Sequence, residues 1–312
     1  MNIRRLYYTL KPIIPRRLQL ELRSRIVVQK RFSCGTSWPI DEKAAQAPEK
    51  WSGWPEKKQF ALVLTHDVET ENGQSKCHNL IELEAGLGFR SSFNFVPERY
   101  QVSPGLRDYL TRHGFEIGVH GLTHDGKLYR NKKIFQQRAI RINHYLKEWN
   151  AVGFRSPAMH HNLEWIHDLN IQYDASTFDT DPFEFQPHGT RTIFPFWVHK
   201  HASQSGYVEL PYTLPQDFTL FILMQERDIK IWQKKLDWVV KHGGMVLLNT
   251  HPDYMNFHTG KREREAYPAD YYAELLKYIE RQYGGQYWLA LPKEMAQFWS
   301  MMYRAAGSFC GR

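Results

Sequence analysis

Apolar residues are distributed along this chain in two alternating patterns. Short runs rich in β-branched and aromatic residues are typical of buried strands, and longer segments with apolar positions three or four residues apart are typical of helices. The runs predict strands at 60–65, 92–96, 115–119, 152–154, 208–210, 245–248 and 287–291. The periodic segments predict helices at 79–87, 103–113, 131–149, 162–169, 228–241, 269–281 and from 292 onward. This alternation predicts an α/β fold with a parallel sheet, open or closed into a barrel.

The chain divides by pattern near residue 58. Residues 1–58 form a basic arm and an irregular lead-in, and residues 59–312 form the α/β domain. Within residues 1–31, nine Lys and Arg residues face a single acid, Glu21, and apolar residues interleave with them. This pattern favours contact with an anionic membrane surface or an anionic glycan. A solvated helix that packs a few apolar residues on the domain is the alternative. No helix-turn-helix, zinc-finger or RNP pattern accompanies the charge, so no nucleic-acid partner is expected.

The composition is that of a globular protein. Of the 312 residues, 42% are hydrophobic and 24% are charged, and the net charge is +8. No run of apolar residues is long enough to span a bilayer. Three widely spaced cysteines predict neither a disulfide framework nor a zinc ribbon. We therefore expect a cytoplasmic location, with peripheral contact at the inner face of the membrane if the basic arm binds lipid.

Polar side chains follow the predicted strands where each strand ends. Asp67 and Glu69 follow the first strand, and His120 and His124 follow the third. Two imidazoles and one carboxylate can bind a divalent metal and leave positions open for water and substrate, as catalytic metal sites do. Because side chains alternate along a strand, Asp67 and Glu69 would share a face, so that one binds metal and the other acts as base. An N-cap with an acidic first turn is the alternative for these acids.

Further polar residues follow later strands. His251 comes directly after the apolar run 245–248 and is suited to protonate a leaving group. Arg155 could orient the base carboxylate through a charge-assisted hydrogen bond. One loop acid among Asp174, Asp179 and Asp181 could hold His251 in the right protonation state, and we place Asp181 in the catalytic set.

Five segments, taken together and in order, resemble the motifs of the polysaccharide deacetylases, the NodB-homology proteins of carbohydrate esterase family 4. They are Leu64-Thr-His-Asp67, His120-Gly-Leu-Thr-His124, Phe154-Arg155-Ser-Pro157, Tyr173-Asp174-Ala-Ser and Leu248-Asn-Thr-His251. The resemblance covers most of the chain, roughly residues 60–291. It differs in two places: the family's second Asp is Val68 here, and the Gly that usually follows the Arg-x-Pro motif is Met159.

The resemblance implies a distorted (β/α) barrel that removes acetyl groups from N- or O-acetylated sugars of a polysaccharide or lipid-linked glycan. It implies a divalent metal, usually zinc or cobalt, with nickel or iron also compatible, bound by His120, His124 and an acid. With Val68 in place of the usual ligand, that acid must be Glu69. It also implies a metal-bound water as the nucleophile, Asp67 as the base and His251 as the acid.

Three other functions share parts of this pattern. A barrel that has lost its metal through Val68 would bind glycans without turnover. A related hydrolase could cleave small amides or cyclic amides with the same residues. A non-haem iron oxygenase could use the same two histidines and carboxylate, but it would give His251 and Arg155 no role.

Overall fold

A computed structural model of the protein describes residues 15–35, 37–49, 51–200, 205–258 and 264–307. Its strands are β1 (Phe60–Val68), β2 (Ser92–Phe95), β3 (Glu116–His120), β4 (Gly153–Arg155), β5 (Tyr173–Asp174), β6 (Phe196–His199), β7 (Gly206–Glu209), β8 (Met245–Thr250), β9 (Met255–Asn256), β10 (Tyr267–Pro268) and β11 (Tyr287–Leu289). Its α-helices are α1 (Arg16–Ser33), α2 (Glu71–Ser75), α3 (Cys77–Gly86), α4 (Pro104–Arg112), α5 (Lys132–Glu148), α6 (Lys230–Lys241), α7 (Asp270–Tyr283) and α8 (Pro292–Gly307). Single turns of 3₁₀ helix and one π-helical segment, Phe218–Leu223, connect them.

The main sheet is parallel except at one edge. Its strands follow the order β8-β1-β2-β3-β4-β5-β7, with β6 antiparallel to β7 at the edge and β11 paired to the first residues of β1. All residues of β1 and β8 are buried, because helices cover the outer face and the strands curl around a common interior. Strands that are buried on both faces read as continuous apolar runs, which explains why these two could be predicted.

The sheet curls until its two ends meet. Beyond β7, the backbone N–H of Thr213 donates to the Leu247 carbonyl of β8 at 3.0 Å. The Thr213 hydroxyl accepts from the Leu247 N–H at 3.0 Å and donates to the Met245 carbonyl at 2.9 Å. A side chain therefore supplies part of the pairing at this seam, and the barrel closes irregularly. The predicted α/β barrel with a parallel sheet is confirmed.

The structure differs from the predicted elements at several points. The helix predicted at 162–169 is a single 3₁₀ turn, Trp165–Asp168, because the Asn162 side chain accepts from the Trp165 N–H and the Asn143 side chain binds the Asp168 carbonyl. The sequence pattern also missed β6 and the π-helical segment Phe218–Leu223, whose residues are apolar at almost every position and show no helical period.

The helix α1 packs on this π-helical segment. Leu20 and Val27 are buried beneath it, and the Ser24 hydroxyl donates to the Leu223 carbonyl. Arg264 ties the two elements together by donating to the Ser24 hydroxyl at 3.0 Å and to the Ile222 carbonyl. The described part of the basic arm is thus a helix docked on the barrel, and residues 1–14 of that arm lie outside the described residues. No helix among the described residues is long and apolar enough to cross a membrane.

Candidate active site

The carboxyl ends of β1, β3 and β8 open into one small pocket. Asp67 and Glu69 from β1, His120 and His124 from β3, and His251 from β8 all line it. The pocket has a volume of about 100 Å³, and parallel barrels place their chemistry at this end of the strands. The structure thus brings together five of the seven residues that the sequence indicated.

Glu69, His120 and His124 form a group that could hold a metal ion. One potential ligand atom from each lies within 4.8 Å of the other two. The Nδ1 atom of His120 lies 3.1 Å from the Arg155 carbonyl, so its Nε2 atom faces the pocket. The Nε2 atoms of both histidines are buried and make no hydrogen bond within the described part of the chain. Buried imidazole nitrogens without partners are costly, and a metal ion would satisfy both.

His124 is held in place by an unusual turn. It adopts a left-handed conformation with φ of 54°, which turns its ring toward His120 so that the ring centroids lie 5.2 Å apart. Gly121 is also left-handed, and a Cβ there would lie 2.5 Å from the Pro157 ring. The two histidines therefore converge through a tight turn that requires glycine at 121. Such strain is typical of functional sites.

The ionisation of this group suits metal binding. Burial lowers the pKa of His120 to about 4, despite the opposing charge of Asp67, so its imidazole is neutral at pH 7. Burial acts to raise the pKa of Glu69, but the adjacent His124 holds it well below its ordinary value. The Glu69 Oε1 atom lies 2.9 Å from His124 Nε2, a contact without hydrogen-bond geometry. Two imidazoles and a carboxylate fit zinc or a similar transition ion.

Val68, at the family's usual ligand position, lies away from this group. Its side chain is fully buried in the core, and it does not line the pocket that Asp67 and Glu69 both line. Glu69 is therefore the acid that accompanies the two histidines. Met159, at the usual glycine position, keeps a left-handed φ of 52° and lines the pocket.

Two amides fix the carboxylate of Asp67. Asn94 donates to its Oδ1 at 3.0 Å and Asn249 donates to its Oδ2 at 2.8 Å. Burial acts to raise the pKa of Asp67, but the neighbouring charges of His120 and Arg155 bring it below the ordinary value. The group is thus ionised, oriented and able to accept a proton.

Arg155 lies beneath the pocket and is fully buried. Its Nε atom donates to the Ala175 carbonyl and its NH1 atom donates to the Thr65 hydroxyl, both at 2.8 Å. NH1 lies 3.6 Å from Asp67 Oδ1, which is too long for the predicted hydrogen bond. Arg155 therefore acts on Asp67 through its charge, rather than by direct donation.

His251 is held by an acid that the sequence did not indicate. Asp217 Oδ1 lies 2.7 Å from His251 Nδ1, and Asp217 Oδ2 accepts the His251 backbone N–H at 2.8 Å. The Tyr267 hydroxyl donates to Asp217 Oδ2 at 3.0 Å. Burial would lower the pKa of His251, but Asp217, together with Glu69 and Asp67, raises it to about 10. His251 is therefore protonated at neutral pH, and its Nε2 atom faces the pocket, where it can donate a proton.

The choice of Asp181, and the wider set of three loop acids, was wrong for the partner of His251. Asp181 accepts from the Tyr212 hydroxyl and from the Phe183 N–H, both at 2.9 Å. Asp174 accepts from Ser176 at 2.6 Å, and Asp179 pairs with Lys235. The partners of all three acids lie away from His251.

The residues missed by the sequence analysis left weak signals. Asn94 and Asn249 are polar positions inside apolar strands, and Asn94 pairs in register with Asp67. Asp217 follows Pro215 and Gln216 without a long strand run before it. Arg23, on α1, also lines the pocket, and no motif near it indicated this.

Similar solved structures give the fold of this chain. No protein-family model and no curated protein matches its sequence. A putative polysaccharide deacetylase from Mycobacterium smegmatis is 18% identical, with a TM-score of 0.60 over 81% of this chain and 94% of that one. A probable polysaccharide deacetylase from Pseudomonas aeruginosa is 14% identical, with a TM-score of 0.62 over 84% and 98%.

The chain has the polysaccharide-deacetylase fold. The crystal structure of Puue allantoinase shares this fold, with 14% identity and a TM-score of 0.63 over 84% of this chain and 97% of that one. At these identities the likeness establishes the architecture. The resemblance that the motifs indicated is thus confirmed for the distorted deacetylase-type barrel, and the reaction has to be argued from the pocket.

Proposed function

We propose that the protein is a metal-dependent hydrolase that removes acetyl groups from N- or O-acetylated sugars of a polysaccharide or lipid-linked glycan. One observation carries this proposal. In a single pocket, an ionised and immobilised carboxylate (Asp67) and a protonated histidine (His251) accompany an open group of metal ligands. A binding module without turnover would not need an acid and a base held in these opposite states.

Each residue then has a defined part in the reaction. A bound divalent ion would supply Lewis-acid chemistry, lowering the pKa of water and polarising the acyl carbonyl. Asp67, fixed by Asn94 and Asn249, accepts a proton as water attacks the acyl carbon. His251 donates its Nε2 proton to the leaving nitrogen or oxygen, while Asp217 stabilises the imidazolium before donation. The products are acetate and a free amine or hydroxyl.

The size of the pocket favours a small acyl group. Its volume of about 100 Å³ suits an acetyl group and not a whole sugar chain, so the rest of the glycan would lie outside the pocket. The hydrolysis of small cyclic amides is the second candidate, because the Puue allantoinase has the same fold. Substrate profiling separates the two, since only the first candidate predicts release of acetate.

The decisive experiment measures metal and acetate together. Protein purified without chelators should contain about one zinc, cobalt, nickel or iron ion per chain and should release acetate from acetylated oligosaccharides. His120→Ala and His124→Ala should lose both properties. His144→Ala is the matched control, because His144 is exposed on α5 beside Glu148. Retention of metal and activity in the His124→Ala variant would refute the proposal.

We also propose that α1 contacts an anionic membrane surface. Five of the seven large apolar side chains that are exposed among the described residues lie on this one helix: Leu18, Leu22, Ile26, Val28 and Phe32. Arg17, Arg25 and Lys30 are exposed around them. Apolar side chains flanked by basic ones suit insertion at an anionic lipid surface. The free thiols of Cys34 and Cys77 support a reducing location, so we place this membrane contact on the cytoplasmic side.

A further inference from the structure

Arg23 reaches the pocket from outside the barrel. It lies on α1, which packs against the Phe218–Leu223 segment, and its side chain is half-buried. The guanidinium carbon lies 4.9 Å from the ring centroid of Phe218 and 5.3 Å from that of Phe185. Both rings also line the pocket. Two aromatic rings thus hold one guanidinium at the mouth of the candidate active site.

The charge of Arg23 is not neutralised by the described residues. None of their carboxylates lies within ion-pair distance of it, whereas Arg25, two residues later, pairs with Glu21 at 2.7 Å and Arg31 pairs with Glu226. Aromatic rings position a guanidinium without cancelling its charge. Arg23 therefore differs from its neighbours on the same helix in having a fixed position and an available charge.

Glu184, on the pocket wall, is the acid that could offset the charge of Arg23. Burial and the charge of Asp181 raise the pKa of Glu184 to about 8, although the charge of Arg23 acts to lower it, so Glu184 is largely neutral at pH 7. Its Oε1 atom is already engaged, because Gln216 donates to it at 2.6 Å. Glu184 thus leaves the charge of Arg23 free for a ligand.

We infer that Arg23 binds an anionic group of the substrate, a carboxylate or a phosphate, so that the acetylated sugar is an acidic one. This inference rests on the proposed function and specifies its substrate class. A guanidinium presents a planar fork of N–H donors that matches carboxylate and phosphate oxygens. Arg23 would then orient the sugar with its acetyl group toward the metal ligands, as a specificity-determining residue.

Binding of small acetylated sugars tests this inference without requiring turnover. Three probes are titrated calorimetrically into the purified protein, with and without added zinc: N-acetylglucosamine, 2-acetamido-2-deoxyglucuronate and N-acetylglucosamine 1-phosphate. We expect at least one anionic probe to bind about 10-fold more tightly than the neutral one, and the preferred probe distinguishes a carboxylate from a phosphate. A 10-fold difference corresponds to about 1.4 kcal/mol.

Variants assign the preference to Arg23. Arg23→Gln should weaken the anionic probe about 10-fold and leave the neutral probe unchanged, and Arg23→Lys should retain part of the preference. Arg25→Gln is the matched control on the same helix and should change nothing. Equal affinity for neutral and anionic probes, no binding of either anionic probe, or equal weakening of all probes in Arg23→Gln would each overturn the inference.

The inference and the proposed function fail separately. If the protein prefers anionic probes through Arg23 but releases no acetate, the role of Arg23 in binding is supported and the deacetylase proposal is refuted. If neutral acetylated sugars are deacetylated equally well by the Arg23→Gln variant and by the natural protein, and no anionic probe is preferred, the activity stands and the role of Arg23 falls.

Discussion

His251 Nδ1 lies 2.7 Å from Asp217 Oδ1, and the two residues are 34 positions apart in the chain. The same carboxylate accepts the backbone N–H of His251, so it fixes both the ring and the main chain. An imidazole held this way keeps its Nδ1 proton toward Asp217 and presents Nε2 to the pocket. In the proposed reaction, this pair would therefore supply the proton for the leaving group.

Replacing Asp217 by Asn should impair the acid and shift the pH profile. The charge of Asp217 raises the pKa of His251, so its loss lowers that pKa. Because the protonated form is the active one, the alkaline limb of the kcat/KM profile should move to lower pH, and kcat should fall about 100-fold or more. Asp181→Asn should leave this limb in place. A limb that moves in Asp181→Asn and not in Asp217→Asn would contradict the assignment.

Glu69 should be required for metal binding, and a carboxylate introduced at position 68 should not be able to replace it. Glu69→Ala should lower the metal content of the purified protein well below one ion per chain. Adding Val68→Asp should not restore it, because that side chain lies in the core and a buried carboxylate there would destabilise the fold by about 3 kcal/mol or more. Metal analysis and thermal unfolding of both variants check this. Restored zinc in the double variant would show that β1 can present residue 68 to the pocket.

Membrane binding should depend on the exposed apolar residues of α1. We expect the protein to sediment with vesicles that contain about one-third phosphatidylserine, and less well as salt rises. The triple variant Leu22→Gln, Ile26→Gln and Phe32→Gln should reduce the bound fraction several-fold. Ile140→Gln is the control, because Ile140 is 73% exposed on α5, away from the basic helix. Equal sedimentation of the natural protein and the triple variant would refute the proposed membrane contact.

Glu116 should make the folded protein less stable as pH rises from about 5 to 7. Burial raises its pKa to about 7 in the folded protein from 4.5. Between these values the folded state holds a proton that the unfolded state has released, so raising the pH favours unfolding. One such group lowers the free energy of unfolding by up to about 3 kcal/mol over this pH range. Denaturant unfolding in chelator should show a flatter pH dependence for Glu116→Gln, whereas Glu148→Gln, on the exposed end of α5, should behave like the natural protein. An unchanged slope in Glu116→Gln would show that Glu116 ionises normally.

The sequence allowed prediction of those parts of the site that lie on fully buried strands. β1 and β8 read as apolar runs because every residue in them is buried, and a polar residue at their ends is conspicuous. Asp67 and His251 were found for this reason. His120 and His124 were found because their four-residue spacing follows another such run, although the left-handed turn that aims His124 is not visible in the pattern.

The parts of the candidate site that depend on packing between distant segments could not be predicted from the sequence. Asp217 precedes a π-helical segment instead of following a long strand, and only closure of the barrel brings it to His251. Asp181 lies in an acid-rich loop that made it a plausible partner, but the chain turns it toward Tyr212. Arg23 belongs to the pocket only because α1 docks through Leu20 and Val27 on a segment about 200 positions away, where Ser24 bonds Leu223 at a separation of 199 residues.

The seam at Thr213 divides the candidate site into two parts with different resistance to disturbance. Glu69, His120 and His124 lie at or just beyond the ends of β1 and β3, which are joined through β2 by uninterrupted parallel pairing, whereas Asp217 lies on the segment that meets β8 partly through the Thr213 side chain. If the seam loosened, Asp217 would leave His251 while the three metal ligands stayed together. In the proposed enzyme, gentle heating would therefore yield molecules that still hold a metal ion but in which His251 has lost the carboxylate that keeps it protonated, so metal content alone would overstate the fraction of active molecules.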